Sequence, residues 1–462
     1  MSVPRSYNLG TDRFAPRLRF GGARALWFGD SISNPNTSAS ADDAQSSMYQ
    51  GWIRNWREAW GGIMVPGSGG GGLAIRTGGT GVGTTTRDPD ETFDGSQTRF
   101  NTHPRQDNSF GATVADGTNI FGSYVIPGFT VQTSLSSIFA DQTTRATAAM
   151  LKHPSGAASV RLDLRRVDSS GSGAVSKTTT TGVSLNGTRS IVTLTGAIAT
   201  HAGGTRPYPD CFIEMDGASN TSAQSAHCLG IWFDRTDLTS QLRLWGGGVG
   251  GSTSDDWLDV NDANASATTI IDDDAVMGYC VATGINTVLV QIGANDSGGS
   301  GNMASAGYRT RIARIAQRWY SAMVAAGTTD PAIIFVTQYG APNAPLANVQ
   351  AAAESQYTIC REGIAASAAP SGSPLTYIEV PKAALGMVNM PELLARAGAV
   401  TNAVNADGTL IGAGSGGLYM ADNIHPKRLG VDYMMGLLFD ELESPASGSW
   451  RARLARPNWK IR

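Results

Sequence analysis

Three short stretches of this chain carry residue types that, if brought together, could attack a carbonyl carbon. Gly29-Asp30-Ser31 ends an apolar run, Leu289 to Ile292 leads into Gly293-Ala294-Asn295-Asp296, and Asp422-Asn423-Ile424-His425-Pro426 lies near the C-terminus. A serine hydroxyl is inert at neutral pH until a base takes its proton and donors hold the charge that forms on the attacked carbonyl. Ser31 offers the hydroxyl. Asp422, three residues before His425, is spaced to hold one nitrogen of the imidazole while the other faces a serine. His425 is the only histidine after His227, so a base drawn from the C-terminal half has no other candidate. Asn295 places an amide donor at the end of an apolar strand.

Such residues work only if a scaffold brings strand ends together. Residues 24–28 read as a buried strand and 47–60 as an amphipathic helix, with Trp52, Ile53, Trp56 and Trp60 near one face. From 66 to about 105 the chain turns Gly/Thr-rich, with neither helical nor strand period, as a connector does. Residues 160–165, 191–195, 211–215 and 229–233 are short β-rich runs separated by turn signals such as Asn186-Gly187 and Asp216-Gly217, the spacing of a β-sandwich. A further short run follows at 242–245. Helical and apolar runs then alternate: helices at 272–282, 308–326, 351–368 and 428–442, strands at 287–292, 332–337 and 375–380. That rhythm predicts an α/β domain with a parallel sheet and helices on both faces, whose ligands bind at the carboxyl ends of the strands. The turn at Ser31 follows one such end and the turn at Asn295 another.

Composition sets the outer limits. The chain has 462 residues, long for one core, so two domains or one domain with a large insertion is expected. Its formal net charge of −3 gives no whole-molecule attraction to nucleic acid or to an anionic membrane. Charged residues at 16% and 57 glycines indicate a loop-rich protein with much β-structure. No run of 18 apolar residues marks a membrane span, and the first 25 residues lack a signal-peptide pattern. Cys211, Cys228, Cys280 and Cys360 form no CxxC pair and no metal-ligand spacing. Cys211 and Cys228 are close enough in sequence to pair in a secreted protein, or to stay as two buried thiols.

The three stretches together resemble the blocks of the SGNH (GDSL-like) hydrolases: Gly29-Asp30-Ser31 the first, Gly293-Ala294-Asn295-Asp296 the third and Asp422-Asn423-Ile424-His425 the fifth, in family order. Two stretches compete for the second block, a glycine after the second strand. Pro66-Gly67-Ser68-Gly69-Gly70 stands at the expected distance from the serine, whereas Gly248-Val249-Gly250-Gly251-Ser252-Thr253 matches the pattern better, and Gly251 is chosen. The resemblance implies a three-layer, flavodoxin-like parallel sheet, with a hydrolase domain split into residues 1–65 and 241–462 by an inserted β-sandwich, jelly-roll-like, at 66–240. It implies a triad of Ser31, His425 and Asp422. It also implies an oxyanion hole of the Ser31 and Gly251 backbone N–H groups with the Asn295 side chain, and no metal or cofactor. The Gly-x-Ser-x-Gly elbow of α/β-hydrolases is absent.

A β-sandwich beside such a site looks like the accessory module of a carbohydrate-active esterase. The expected substrate is therefore an O-acetylated polysaccharide or glycoconjugate, and the expected location extracellular or periplasmic rather than cytoplasmic. A lipid or general acyl-ester hydrolase is the second expectation, and a non-catalytic carbohydrate-binding or particle-surface module the third. The acidic clusters at Asp255-Asp256 and Asp272-Asp273-Asp274 lack EF-hand spacing and are read as helix N-termini.

Overall fold

The computed structural model describes residues 3–9, 22–30, 32–33, 123–125, 130–134, 144–152, 159–167, 174–188, 190–198, 208–215, 226–235, 243–248, 251–266, 271–296, 305–341, 344–401 and 425–443, with isolated positions 17, 156 and 303. In chain order these form β1 (Ser6–Tyr7) and β2 (Arg24–Gly29), then β3 (Ser123–Val125), β4 (Thr130–Ser134), β5 (Thr144–Lys152) and β6 (Val160–Val167). β7 (Ala174–Thr179), β8 (Ser190–Ile198), β9 (Tyr208–Met215), β10 (Ala226–Arg235) and β11 (Arg243–Gly248) follow. The remainder is α1 (Asp273–Thr283), β12 (Thr287–Gln291), α2 (Ala306–Ala325), β13 (Ala332–Val336), α3 (Leu346–Glu362), β14 (Leu385–Val388), α4 (Met390–Thr401) and α5 (Arg428–Glu443).

Residues of β12 and β13 are buried without exception, and in β2 all but the first. Successive side chains of a strand point to opposite faces, so both faces of this sheet are covered, as apolar runs without alternation demand. Six strands lie in the order β1-β14-β13-β12-β2-β11. All neighbours pair in parallel except the edge strand β1. Counted along the chain, the five parallel strands run 2-1-3-4-5, the doubly wound order whose switch point is the crevice outside the carboxyl ends of β2 and β12.

Two sequence expectations change here. The helix expected at 351–368 is α3, which begins earlier, after Pro345, and ends at Glu362. Gly363 leaves the helix with φ +77°, a conformation that costs glycine little, and Ile364 then pairs with Val380 across an isolated bridge. The Ala-rich stretch that follows is held by tertiary bonds instead: Ser367 N–H to the Tyr377 carbonyl at 3.1 Å, and Gln317 Nε2 to the Ala365 carbonyl at 2.8 Å. The strand expected at 375–380 is therefore not in the sheet. The fifth parallel strand is β14, four buried residues too short and too uniformly apolar, apart from Gly386, to show a period. The helix expected at 47–60 lies outside the described residues.

Below the sheet edge, the helical layer is pinned by a buried ion pair. Arg318 of α2 donates through Nε to Asp273 of α1 at 2.5 Å and through NH1 to the Trp257 carbonyl at 2.8 Å, with both charged side chains fully buried. The Tyr377 hydroxyl donates to the same carboxylate at 3.1 Å. Phe28 of β2 packs on Trp257 and Trp319, with ring centroids 4.5 and 5.3 Å away. Asp272 holds the N-cap position of α1 without a side-chain capping bond, and Asp273 and Asp274 lie in its first turn, where carboxylates suit the helix dipole.

Between β2 and β11 in sequence lie two four-stranded antiparallel sheets, β3-β10-β5-β8 and β4-β9-β6-β7. α1 packs against β5 and β8, and Ala149 of β5 joins the hydrophobic core of the parallel sheet. The contact is close: a Cβ on Gly278 would stand 1.9 Å from Cγ1 of Ile191. Cys211 and Cys228 fall on β9 and β10, which belong to different sheets. Cys280 and Cys360 are free and buried, and burial pushes both thiols up and away from reactivity. Among the described residues no helix is long and apolar enough to cross a membrane, and no group of three or more His, Cys, Asp or Glu side chains is placed to hold a metal ion.

Candidate active site

The site is assembled by three turns at the carboxyl ends of β2, β11 and β12. The first begins at Gly29, where β2 and β12 run so close that a Cβ would sit 1.7 Å from the Gln291 carbonyl oxygen. Only glycine fits. The next residue, Asp30, is fully buried and ties the turn down. Its Oδ1 accepts the Ile32 N–H at 3.0 Å, an Asx-turn that spans position 31. Its Oδ2 accepts the N–H groups of Gly293 at 3.2 Å and Ala294 at 3.0 Å, and the Gln338 side-chain amide at 3.0 Å. Burial raises the Asp30 carboxyl from 3.8 to about 6, against the pull of the backbone donors at Ile32, Ala294 and Gly293, and the nearby Asp296 charge adds to the rise.

The second turn follows β11. Gly251 takes φ +77° and is exposed, and a Cβ there would touch nothing within 4 Å, so the demand for glycine is conformational rather than steric. Ser252 is buried behind it, donating through Oγ to the Gly29 carbonyl at 3.2 Å and accepting from Trp257 Nε1 at 3.1 Å. Asp256 Oδ2 accepts the Thr253 N–H at 2.7 Å and its hydroxyl at 2.6 Å, closing a single 3-10 turn at Ser254–Trp257. The acidic pair at 255–256 thus opens a helical turn.

The third turn, 293–296, meets the second directly. Asn295 Nδ2 donates to the Ser252 carbonyl at 3.0 Å. Asp296, also buried, accepts the Ser254 N–H at 2.9 Å and its hydroxyl at 2.6 Å, while Arg311 of α2 donates to Ser254 Oγ at 2.6 Å and to Asp296 at 3.3 Å. Desolvation raises the Asp296 carboxyl, opposed by the Ser254 donors and the Arg311 charge. Gly293 is crowded by Met303 and by the Tyr308 hydroxyl, which donates to the Ile292 carbonyl at 2.9 Å.

The turns of Gly251 and Asn295 thus meet, beside Gly29 and Asp30 at the end of β2. Ser31 and Asp422 lie outside the described residues. His425 is half-buried and stands three residues before α5. Sequence reasoning missed Gln338, Ser252, Ser254 and Arg311. Gln338 carried a weak signal, a polar residue just beyond the buried strand β13. The other three are unremarkable side chains whose role exists only once strand ends are neighbours.

No known protein-family model matches the chain, and no curated protein sequence matches it. Among solved structures, a peptidoglycan O-acetylesterase superposes with a TM-score of 0.53 at 11% identity, over 95% of this chain and 98% of that one. A carbohydrate esterase family 2 enzyme with its carbohydrate-binding domain, from Myceliophthora fergusii, gives a TM-score of 0.27 at 12% identity over 71% of this chain and 96% of that one. A carbohydrate acetylesterase from Xanthomonas citri gives 0.24 at 12% over 50% and 61%. The first likeness shows a shared fold; the other two superpose too loosely to argue from.

Proposed function

We propose that this chain is an SGNH-type serine esterase that removes O-acetyl groups from a polysaccharide or glycoconjugate. The observation that carries the reading is the convergence of the Gly251 turn and the Asn295 amide at the switch-point crevice, where β2 also ends at Gly29 and Asp30. An amide nitrogen has two hydrogens. One from Asn295 holds Ser252 and the other serves an oxyanion, together with the N–H groups of Gly251 and Ser31.

In this reading His425, oriented by Asp422, takes the proton of Ser31 as Oγ bonds to the acetyl carbon. The tetrahedral oxyanion collapses, the sugar oxygen leaves with the proton from His425, and acetyl-Ser31 remains. Water, deprotonated by His425, then attacks the acyl carbon; acetate departs and Ser31 recovers its proton. No metal or cofactor enters these steps. The two antiparallel sheets are assigned to an inserted domain at 66–240 that presents the polymer to the serine. The likeness in fold to a peptidoglycan O-acetylesterase, which extends over 95% of the chain, supports this substrate class.

Acetate release from acetylated polysaccharides and from an aryl acetate tests the proposal. Wild type is expected to release acetate from both and Ser31→Ala from neither. Preference for long-chain esters over every acetylated glycan would favour a general acyl-ester hydrolase. Absence of hydrolysis with retained glycan binding would favour a binding module.

A further inference from the structure

We propose that Asp30 and Gln338 form a positioning pair that locks the turn bearing Ser31 against the turn bearing Asn295. This rests on the esterase reading for its consequence in catalysis, though not for its geometry. The Asp30 carboxylate bridges three separate segments. Through Oδ1 it reaches over position 31 to Ile32, and through Oδ2 it holds Gly293 and Ala294, the two residues immediately before Asn295. Gln338, two residues beyond the end of β13, completes the set from a third strand end. Gln338 is 2% exposed and Asp30 is sealed from bulk solvent.

Among the described residues, each of the four groups that bond to Asp30 is an N–H donor, and none is a cation. An ionised carboxylate accepts from all four; a protonated one must aim its own O–H at a donor and lose at least one bond. The bracket is therefore complete only when Asp30 carries its charge. Because burial holds this carboxyl near 6, the bracket closes across a pH range in which the enzyme would work. The titratable groups that act on it among the described residues are Asp296 from the 293–296 turn and Tyr308 from α2; burial keeps Tyr308 protonated. When the bracket opens, the Asp30–Ile32 turn loses its register with the 293–296 turn, and on the esterase reading the nucleophile loses its register with the oxyanion donor. A shift of about 1 Å in such a site costs about a hundredfold in rate. Asp30 and Gln338 act through their neighbours and touch no reacting atom.

The test titrates the Asp30 carboxyl by 13C NMR in the full chain, with Asp30→Asn identifying its signal, alongside Gln338→Met and Gln338→Glu. Removing the amide donor is expected to move the midpoint up from near 6 by about one pH unit in Gln338→Met. A second carboxylate in Gln338→Glu moves it further in the same direction. The acid limb of kcat on an aryl acetate moves with it while KM stays nearly constant. Hydrogen exchange at the Gly293 and Ala294 amides accelerates below the same midpoint. An Asp30 midpoint shared by all three proteins overturns the pair, as does a kcat limb that ignores a displaced midpoint. If no ester is hydrolysed at all, the esterase reading fails separately, and the midpoint and amide exchange still decide whether the pair locks the two turns. Should Gln338→Met fail to fold, Gln338→Glu carries the same comparison.

Discussion

Asp30, at the carboxyl ends of the parallel strands, and Asp273, in the helical layer beneath, are equally buried carboxylates held in opposite ways. Asp273 meets the Arg318 guanidinium, so its charge is cancelled where it stands. Asp30 meets four neutral N–H groups, and its charge is uncompensated enough that the carboxyl rises to about 6. The first arrangement fixes two helices; the second keeps an ionisable group at the edge of a crevice. Structural nodes neutralise charge, whereas sites that perform chemistry tolerate it at some expense in stability.

The largest effect expected at the chemical end is from Ser31→Ala, which should reduce ester hydrolysis by at least about 10³-fold without changing the thermal midpoint. Hydrolysis assays and a melting curve on the same preparation check both halves. At the structural end, Arg318→Met leaves Asp273 buried and unpaired, and should destabilise the fold by about 3–5 kcal/mol in denaturant titration. Stability unchanged in that variant would break the contrast. On the proposed mechanism Asn295→Ala removes one oxyanion donor and should lower kcat by about 10²–10³-fold, with KM less affected.

The contrast is sharpened by pH. Since the Asp30 pKa is raised on folding, the native state binds its proton more readily between pH 3.8 and about 6. Asp30 therefore contributes most to stability below its unfolded pKa, and that contribution fades as pH rises through 6, by on the order of 3 kcal/mol. The stability of wild type relative to Asp30→Asn should fall from pH 4 to pH 7, and a constant difference would contradict the assignment. On the esterase reading, activity should run the other way and rise as Asp30 ionises. The smallest effect is expected from Gly251→Ala. Its Cβ meets no atom within 4 Å, but φ +77° strains it by about 1–2 kcal/mol, so activity should drop more than stability.

Much of this scaffold was legible because buried parallel strands appear in sequence as apolar runs that stop at polar turns. Residues 24–28 and 287–292 announced β2 and β12 in this way, and the turns after them announced the crevice. β14 was not legible: Leu385–Val388 has no period and lies beside the more strand-like 375–380, whose backbone is satisfied instead by Gln317 and Ser321 of α2. The candidate site was legible only as residue types; the family resemblance, not the spacing, put Gly251 beside Asn295, and the contact seen is that of Asn295 Nδ2 with the Ser252 carbonyl. What the spacing does not contain is the identity of residues that only adjacency makes important. Gln338 is 308 positions from Asp30, and Arg311 reaches Ser254 across 57.

The central claim is that Ser31 is an activated nucleophile. The most direct measurement is reaction of the full chain with a fluorophosphonate, followed by peptide mass spectrometry to locate the adduct. A single phosphonyl group on the peptide containing Ser31, formed stoichiometrically and lost in His425→Ala, is the predicted result. An unmodified Ser31 in folded protein, or a rate of labelling unaffected by His425→Ala, would contradict it.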